Sequence, residues 1–454
     1  MCDNAGVHWW FGHLGTVVGA ICALVFAGSL VRSRKPSGST AAWLLVILLV
    51  PWLGVPLYFF FGGRKLRRAN EKPDLARRTT AQRSDDPIER VLISTGAGAP
   101  EPGHAIEWHA DGELAFTDLC ATIDAATRSI RIATFVLGDD AAADAIVDKL
   151  VARAQAGVQV ELLLDGMLVN RSHARAHKKL AAVGGKVAVF EPLFRLPGRN
   201  RGRTNLRNHR KICVVDGEVA ILGGRNLAHE YMGPAPDPAR WDDLSWRLRG
   251  PAIARADEVF RADWKFATGE ELPAPPPPPP AGDAAIVLVP SGPDASGDPI
   301  YEVLLQLAFT ASRRLSIATP YFTPDPALEH ALELAVRRGV EVRVIVPARS
   351  NHRIANLVGR SFLSPLAAIG VQVFQLPKML HAKVVLADDW VVTGSANFDM
   401  RSLFLDFEMS MVTRAPSAVA WIEQWFEREC GRCVVGPIAP STLSDLARLV
   451  APLV

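Results

Sequence analysis

Cysteine is scarce and scattered in this chain, with six in 454 residues. Cys2, Cys22, Cys120, Cys213, Cys430 and Cys433 lack the even, close spacing of a disulfide-stapled domain, and Cys22 and Cys213 fall inside apolar runs, so reduced thiols are expected. Cys430-Gly431-Arg432-Cys433 has no second Cys-x-x-Cys and no accompanying His pair, which removes the other half of a tetrahedral zinc site. An excess of one charge is also missing. Fifty Lys and Arg stand against 47 Asp and Glu, a net +3 that suits neither a nucleic-acid packager nor an acidic tail. Aromatics make up 7% of the chain and are sparse around its densest basic run, Arg195, Arg199, Arg201, Arg203, Arg207 and Arg210, where a single-strand nucleic-acid groove would interleave them.

Apolar sequence is not lacking. At 49% apolar residues and this length, two or more domains with large cores are expected. Residues 14–31 are almost wholly apolar, and after a basic connector, 32–40, a second apolar run covers 41–61; each is long enough to cross a bilayer. No small-residue cleavage site ends the first run, and the second is too long and aromatic-rich for a soluble helix, so a transmembrane hairpin over residues 1–68 is expected. Pro51 and Pro56 would kink its second arm, which membrane helices tolerate. The connector carries Arg32, Arg34 and Lys35, whereas Arg64, Lys65, Arg67, Arg68, Lys72, Arg77 and Arg78 follow the second run. The positive-inside rule then puts the bulk of the chain in the cytoplasm, with that cluster near anionic headgroups. Residues 69–106 read as a polar tether.

From residue 107 strands and helices alternate. A strand over 129–136, a helix over 141–156 and a strand over 158–164 give a β-α-β rhythm, which returns as a strand over 315–319, a helix over 326–338 and a strand over 340–346. The wording repeats as well: Ile132-Ala133-Thr134 against Ile317-Ala318-Thr319, and Ala156-Gly157-Val158 against Arg338-Gly339-Val340. The chain is therefore read as a duplication, with halves over 107–266 and 284–454, joined by a linker over 267–283 whose prolines, Pro275 to Pro280, favour a semi-rigid spacer. The second half ends in an apolar tail, 443–454, which suits either a membrane surface or a closing core helix.

Each half carries one copy of a reactive pattern. His209-Arg210-Lys211-Ile212-Cys213-Val214-Val215-Asp216 and His381-Ala382-Lys383-Val384-Val385-Leu386-Ala387-Asp388 both read His-x-Lys-x-x-x-x-Asp, and each is followed by a glycine-led tetrad ending in Asn226 or Asn397. The apolar residues after each lysine read as a short buried strand, on which His and Lys, two apart, share a face. Two imidazoles brought together can serve a phosphodiester, one attacking phosphorus and the other protonating the departing oxygen, because histidine ionises near neutrality. Lys211, Lys383, Asn226 and Asn397 can supply fixed donors to the phosphoryl oxygens, and no carboxylate cluster in the motifs asks for a metal or other cofactor. Each imidazole also needs an acceptor on its other nitrogen. The residues alone do not decide which histidine attacks. The basic run before His209 is open to three readings: a solvated loop, a lipid-headgroup contact or a nucleic-acid groove.

The duplicated motif resembles the phospholipase D superfamily. Further passages resemble its bacterial cardiolipin synthases: Ala42-Trp43-Leu44-Leu45, Pro51-Trp52-Leu53-Gly54, Asn208-His209-Arg210-Lys211, Asp263-Trp264, Thr319-Pro320-Tyr321-Phe322, and residues 394–403 beginning Gly394-Ser395-Ala396-Asn397. The resemblance covers nearly the whole chain and implies an α/β fold, two duplicated phospholipase D-type α/β/α domains with the active site at their interface, preceded by the two-helix hairpin. It implies a catalytic set of His209, Lys211, Asp216, His381, Lys383 and Asp388, with His209 the nucleophile, His381 the acid and later base, and Asp216 and Asp388 bracing the strand ends. It also implies orienting acids at Asp243, with Asp242 as an alternative, and at Glu408. Thr134-Phe135 and Asp243-Leu244-Ser245 depart from the family pattern in the first half. The implied reaction makes cardiolipin and glycerol from two phosphatidylglycerol molecules without a cofactor, at the anionic cytoplasmic surface of a bacterial inner membrane. A hydrolase releasing phosphatidic acid shares the motif. A nuclease does too, although a membrane tether argues against nucleic acid as partner.

Overall fold

The structure is a computed structural model that describes residues 83–167, 171–191, 206–436 and 442–448, together with 44–47, 50, 54, 72, 75 and 438. The chain divides into two units, residues 1–64 with 196–205, and residues 65–195 with 206–454. Of the first unit only 44–47, 50 and 54 are described, so the two expected membrane spans lie almost wholly outside the described residues. No helix among the described residues is long and apolar enough to cross a membrane.

The second unit is built on one mixed sheet. The first half supplies β1 (Glu101–His109), β2 (Ser129–Thr134), β3 (Gln159–Asp165), β4 (Lys186–Phe190), β5 (Ile212–Val215), β6 (Val219–Gly223) and β7 (Ser245–Arg249). The second half supplies β8 (Ala284–Ser291), β9 (Arg314–Ala318), β10 (Phe322–Thr323), β11 (Glu341–Pro347), β12 (Gln372–Leu376), β13 (Val384–Ala387), β14 (Trp390–Gly394), β15 (Phe398–Asp399), β16 (Glu408–Thr413) and β17 (Val434–Val435). The order is β17-β12-β11-β9-β13-β14-β16-β8-β1-β7-β6-β5-β2-β3-β4, with β10 and β15 in a separate pair. Read outward from the antiparallel β8–β1 pair, the strands on the two sides correspond one to one: β1 with β8, β7 with β16, β6 with β14, β5 with β13, β2 with β9, β3 with β11 and β4 with β12. The duplication seen in the sequence is thus a two-fold repeat within a continuous sheet. The motif strands β5 and β13 occupy 212–215 and 384–387, as their apolar runs dictate.

Local chemistry explains the repeated wording. The helices Ala141–Gln155 and Pro326–Arg337 each begin at an aspartate, Asp140 or Asp325, whose carboxylate accepts from a backbone N–H of the first turn. They end at Gly157 (φ 88°) and Gly339 (φ 85°), a left-handed turn that glycine adopts without strain. In each, the following valine N–H reaches back to the helix, Val158 to Arg153 O at 3.0 Å and Val340 to Ala335 O at 3.1 Å, and the valine is buried where the next strand begins. Helices cover both faces of the sheet, so β3 and β11 are each buried in all but the first residue, the charged Glu161, Asp165 and Arg343 included.

Two expectations are corrected, and a third is described in part. The stretch 69–106 is not a tether throughout: the helix Pro87–Ser94 buries Ile88 and Leu92 against the core of the second half, and β1 begins at Glu101. The described part of the apolar tail, 442–448, carries the helix Thr442–Ala447 with Leu443 and Leu446 exposed, and Arg448 pairs with Glu329. Finally, Arg207 and Arg210 of the basic run are buried and internally bonded rather than open to a headgroup or a nucleic acid, while Arg195, Arg199, Arg201 and Arg203 lie outside the described residues.

Candidate active site

Both motif segments cross into the opposite half. Ahead of β5, His209 N donates to Phe407 O at 2.9 Å and Phe407 N donates to Arg207 O at 2.8 Å. Ahead of β13, His381 N donates to Asp242 O at 2.6 Å and Asp242 N donates to Met379 O at 2.9 Å. These parallel bridges, Asn208 with Phe407 and Asp242 with Leu380, run each histidine alongside the acidic segment of the other repeat.

The side chains follow. His209 Nδ1 lies 2.8 Å from Glu408 Oε1 and 3.1 Å from Ser395 O, while His381 Nδ1 lies 2.7 Å from Asp243 Oδ2. Each imidazole therefore takes its carboxylate from the other half, and the alternative Asp242 turns away to Arg432 and Lys378. The glycine tetrads accommodate the acids. Ser395 Oγ donates to Glu408 Oε2, whereas at the equivalent Gly224 a β-carbon would stand 2.2 Å from Asp243 Oδ1, so the first copy has no room for a side chain there.

The lysines complete a buried centre. Lys211 Nζ donates to His209 O at 2.6 Å and lies over the Phe135 ring, and Lys383 Nζ donates to His381 O and lies 2.7 Å from His381 Nδ1 and 3.1 Å from Nε2. No described residue bonds His209 Nε2. Burial, reinforced by the neighbouring lysines and opposed by the carboxylates, lowers His209 to about 4 and His381 to about 3. Burial also lowers Lys211 to about 7 and Lys383 to about 8. For Asp243 burial acts upward, but His381, Lys383 and Arg225 hold it well below the usual carboxylate range; His209 and Lys211 do the same for Glu408. The resting site near pH 7 thus has two neutral imidazoles, each bonded through Nδ1 to an ionised acid.

The site gathers His209, Lys211, His381, Lys383, Asp243 and Glu408. It does not gather Asp216 or Asp388. The Asp216 carboxylate accepts from the N–H groups of Thr127, Arg128 and Ser129 and from Thr127 Oγ1, and that of Asp388 accepts from Ser312, Arg313 and Arg314 N–H groups and from Ser312 Oγ. Both lie at the far ends of β5 and β13 from the histidines, bracing the starts of β2 and β9. The asparagines keep to their own halves: Asn226 Oδ1 accepts from Val136 N at 3.2 Å, and Asn397 bonds the Asp399 carboxylate.

Several contributors escape a motif search. Phe135 meets His209 edge-on at 5.0 Å between ring centroids, and Tyr231 meets His381 likewise at 4.9 Å, with Trp241 at 5.7 Å. Ser395 carried a signal, as the second residue of its tetrad. Phe135 had one in the departure at Thr134-Phe135, whereas Tyr231 and Trp241 carried none beyond their type. Outside the site, Cys430 and Cys433 are unpaired thiols that burial pushes up to about 11 and about 12. A partly exposed group, Asp140, His229 and Glu230, has ligand atoms within 4.8 Å of one another but shares no residue with the site.

Comparison with known proteins points the same way as the geometry. The family model described as cardiolipin synthase, phospholipase D-like domain, matches residues 119–264 and 304–430, and a phospholipase D-nuclease N-terminal model matches residues 21–63. Cardiolipin synthase A of Pseudomonas entomophila is 31% identical over 444 residues, 93% of this chain and 92% of its own. Cardiolipin synthase 1 of Bacillus cereus is 29% identical over 92% of this chain and 88% of its own. Among solved structures, phosphatidylserine synthase of Haemophilus influenzae shares the fold with a TM-score of 0.60 at 16% identity, over 81% of this chain and 98% of that one.

Proposed function

The chain belongs to the phospholipase D-like cardiolipin synthase family, and from that premise we propose that it joins two phosphatidylglycerol molecules into cardiolipin, with release of glycerol, through the His209–Glu408 and His381–Asp243 pairs. It is a phosphatidyltransferase of the phospholipase D superfamily. The observation that carries the assignment of residues is the crossed pairing, which puts two neutral imidazoles and two lysines in one buried centre.

His209 Nε2 attacks phosphorus, the bond from phosphorus to the glycerol oxygen breaks, and His381, which is neutral at rest and takes up a proton as the anionic phosphate binds, delivers that proton to the oxygen. The terminal hydroxyl of a second phosphatidylglycerol then gives its proton to His381 and attacks the phosphatidyl-histidine. The P–N bond breaks, cardiolipin leaves and His209 is regenerated. His209 is favoured as nucleophile because its Nε2 faces no described partner, whereas Lys383 lies against the His381 ring, within 3.1 Å of Nε2 and 2.7 Å of Nδ1. Glu408 and Asp243 steady whichever imidazole is cationic, and the lysines offset charge on the phosphoryl oxygens. A Lewis acid is not required by this account, since the positive charge comes from the chain.

The two apolar runs, 14–31 and 41–61, form the membrane hairpin in this proposal, with both catalytic halves on the cytoplasmic side, where substrate lipid is at hand; the support is their length and the basic cluster after the second run. The direct test is detergent-purified enzyme with headgroup-labelled phosphatidylglycerol, resolved by thin-layer chromatography beside His209→Ala and His381→Ala. Cardiolipin plus free glycerol from the wild type and neither from the variants is expected. Phosphatidic acid without cardiolipin would make water the acceptor and overturn the transferase assignment. With a phosphatidyl ester whose leaving group departs without a proton, His381→Ala is expected to accumulate a phosphatidyl-enzyme and His209→Ala to give none.

A further inference from the structure

Directly behind the catalytic histidine lies a second buried cluster of charge. Arg210, between His209 and Lys211, donates from Nη1 to Asp263 Oδ1 at 2.8 Å and from Nη2 to both oxygens of Asp294 at 3.1 Å. Asp263 belongs to the helix Ile253–Thr268 of the first half, and Asp294 follows β8 of the second. Asn208 Nδ2 donates to Asp263 Oδ2 at 2.9 Å. One guanidinium facing two carboxylates would leave a buried negative charge, and the cation that balances it comes from far upstream. Lys72 Nζ donates to both Asp263 and Asp294, and the side chains of all four charged residues have 0% exposure.

The cluster touches the chemistry through one ring. Lys72 Nζ lies 4.6 Å and the Arg210 guanidinium carbon 5.4 Å from the centroid of Phe407, whose carbonyl accepts from His209 N. Arg210 Nε donates to the carbonyl of the next residue, Glu408, which holds His209 Nδ1. Lys72 is itself held: three residues on, Leu75 is buried in a core cluster shared by both halves, its N–H reaches Asp294 O at 3.4 Å and its carbonyl accepts from Arg255.

We propose that Lys72 is a positioning residue for the His209–Glu408 pair: it completes the two-cation, two-anion cluster under Phe407 and so ties the segment that follows the N-terminal apolar runs to the floor of the active site. Without its charge, Arg210 faces two buried carboxylates, and either a proton enters or Arg210 and the Phe407–Glu408 backbone shift. The groups facing His209 are Glu408, Lys211 and Lys383, with Arg210, Asp263, Asp294 and Lys72 behind Phe407 and Asp406 beside it. An added negative charge among them raises the proton affinity of His209.

The inference rests on His209 being catalytic. Full-length wild type, Lys72→Met, Lys72→Arg and the double variant Lys72→Met/Asp294→Asn, in detergent, are assayed on phosphatidylglycerol across pH, with circular dichroism melts as the folding control. Lys72→Met is expected to lower kcat about 10- to 100-fold with KM little changed, and to move the acid limb of the kcat profile upward. Lys72→Arg and the double variant, which restore the charge balance, are expected to recover most of the rate and the wild-type limb. Wild-type kcat and limb in Lys72→Met overturn the proposal, as does a slow, folded Lys72→Met whose limb is unmoved and whose loss Asp294→Asn does not relieve. Should Lys72→Met not fold, the other two variants decide it: the wild-type limb in both supports the proposal, and inactivity in either while folded sinks it. Failure of the transferase reading registers separately, in the wild-type product, and the variant ratios are then taken on phosphatidic acid.

Discussion

At the scale of the residue, the site works by withholding water. Burial makes the imidazoles poor bases and the lysines poor cations, and each carboxylate, ionised beside its histidine, steadies the ring when a phosphatidyl group or proton arrives. Glu408→Gln and Asp243→Asn remove that support and are each expected to lower kcat about 100-fold, measured as cardiolipin formed per minute; wild-type rates in either would remove the acids from the mechanism. The lysines set the alkaline behaviour. Their folded values, about 7 and about 8, lie below the ordinary lysine value, so ammonium charge is lost as pH rises through that window. The rate kcat/KM is therefore expected to fall above pH 7 to 8, and a profile flat to pH 10 would contradict it. The proposed nucleophile behaves oppositely: His209 is lowered to about 4, so it stays unprotonated well into acid.

At the scale of the element, the two copies of the motif are hairpins with an anchor at one end and chemistry at the other. Asp216 and Asp388 adopt positive φ, 55° and 47°, in the turns after β5 and β13, and from there each carboxylate collects three backbone N–H groups and a hydroxyl. Alanine at either position strains the turn and strands those donors, for an expected loss of about 2 kcal/mol. Thermal melts of Asp216→Ala and Asp388→Ala are expected to shift down while kcat per folded molecule stays near wild type; loss of kcat with an unchanged melt would return these aspartates to the chemistry. The motif alone cannot separate such a brace from a catalyst, since both recur with the same spacing. The strands, the helix ends at Gly157 and Gly339 and the repeat itself were legible because apolar period, capping and glycine turns are local.

At the scale of the whole molecule, the proposed membrane arrangement rests on the charge on either side of two apolar runs. Reporter fusions after residue 36 are expected to read out on the periplasmic face and fusions at the C-terminus on the cytoplasmic face; the reverse pattern would overturn the hairpin orientation. The chemistry belongs to this scale as well, because neither half holds a complete site. From the sequence by itself come the paired His-x-Lys motifs, the duplication and the motif strands, fixed by residue type and short-range spacing, whereas Glu408 and Asp243, with Asp242 as an alternative, come only from the family resemblance. Tertiary structure decided which acid serves which histidine and that Arg207 and Arg210 turn inward. It also decided that Lys72 reaches the catalytic floor from a segment that reads as a polar tether. The physical reason is the antiparallel β1–β8 pairing, which closes both repeats into one sheet and brings each motif beside the opposite repeat's acid. Partners so far apart in the chain leave no trace in local spacing, since their contact is set by how the sheet closes.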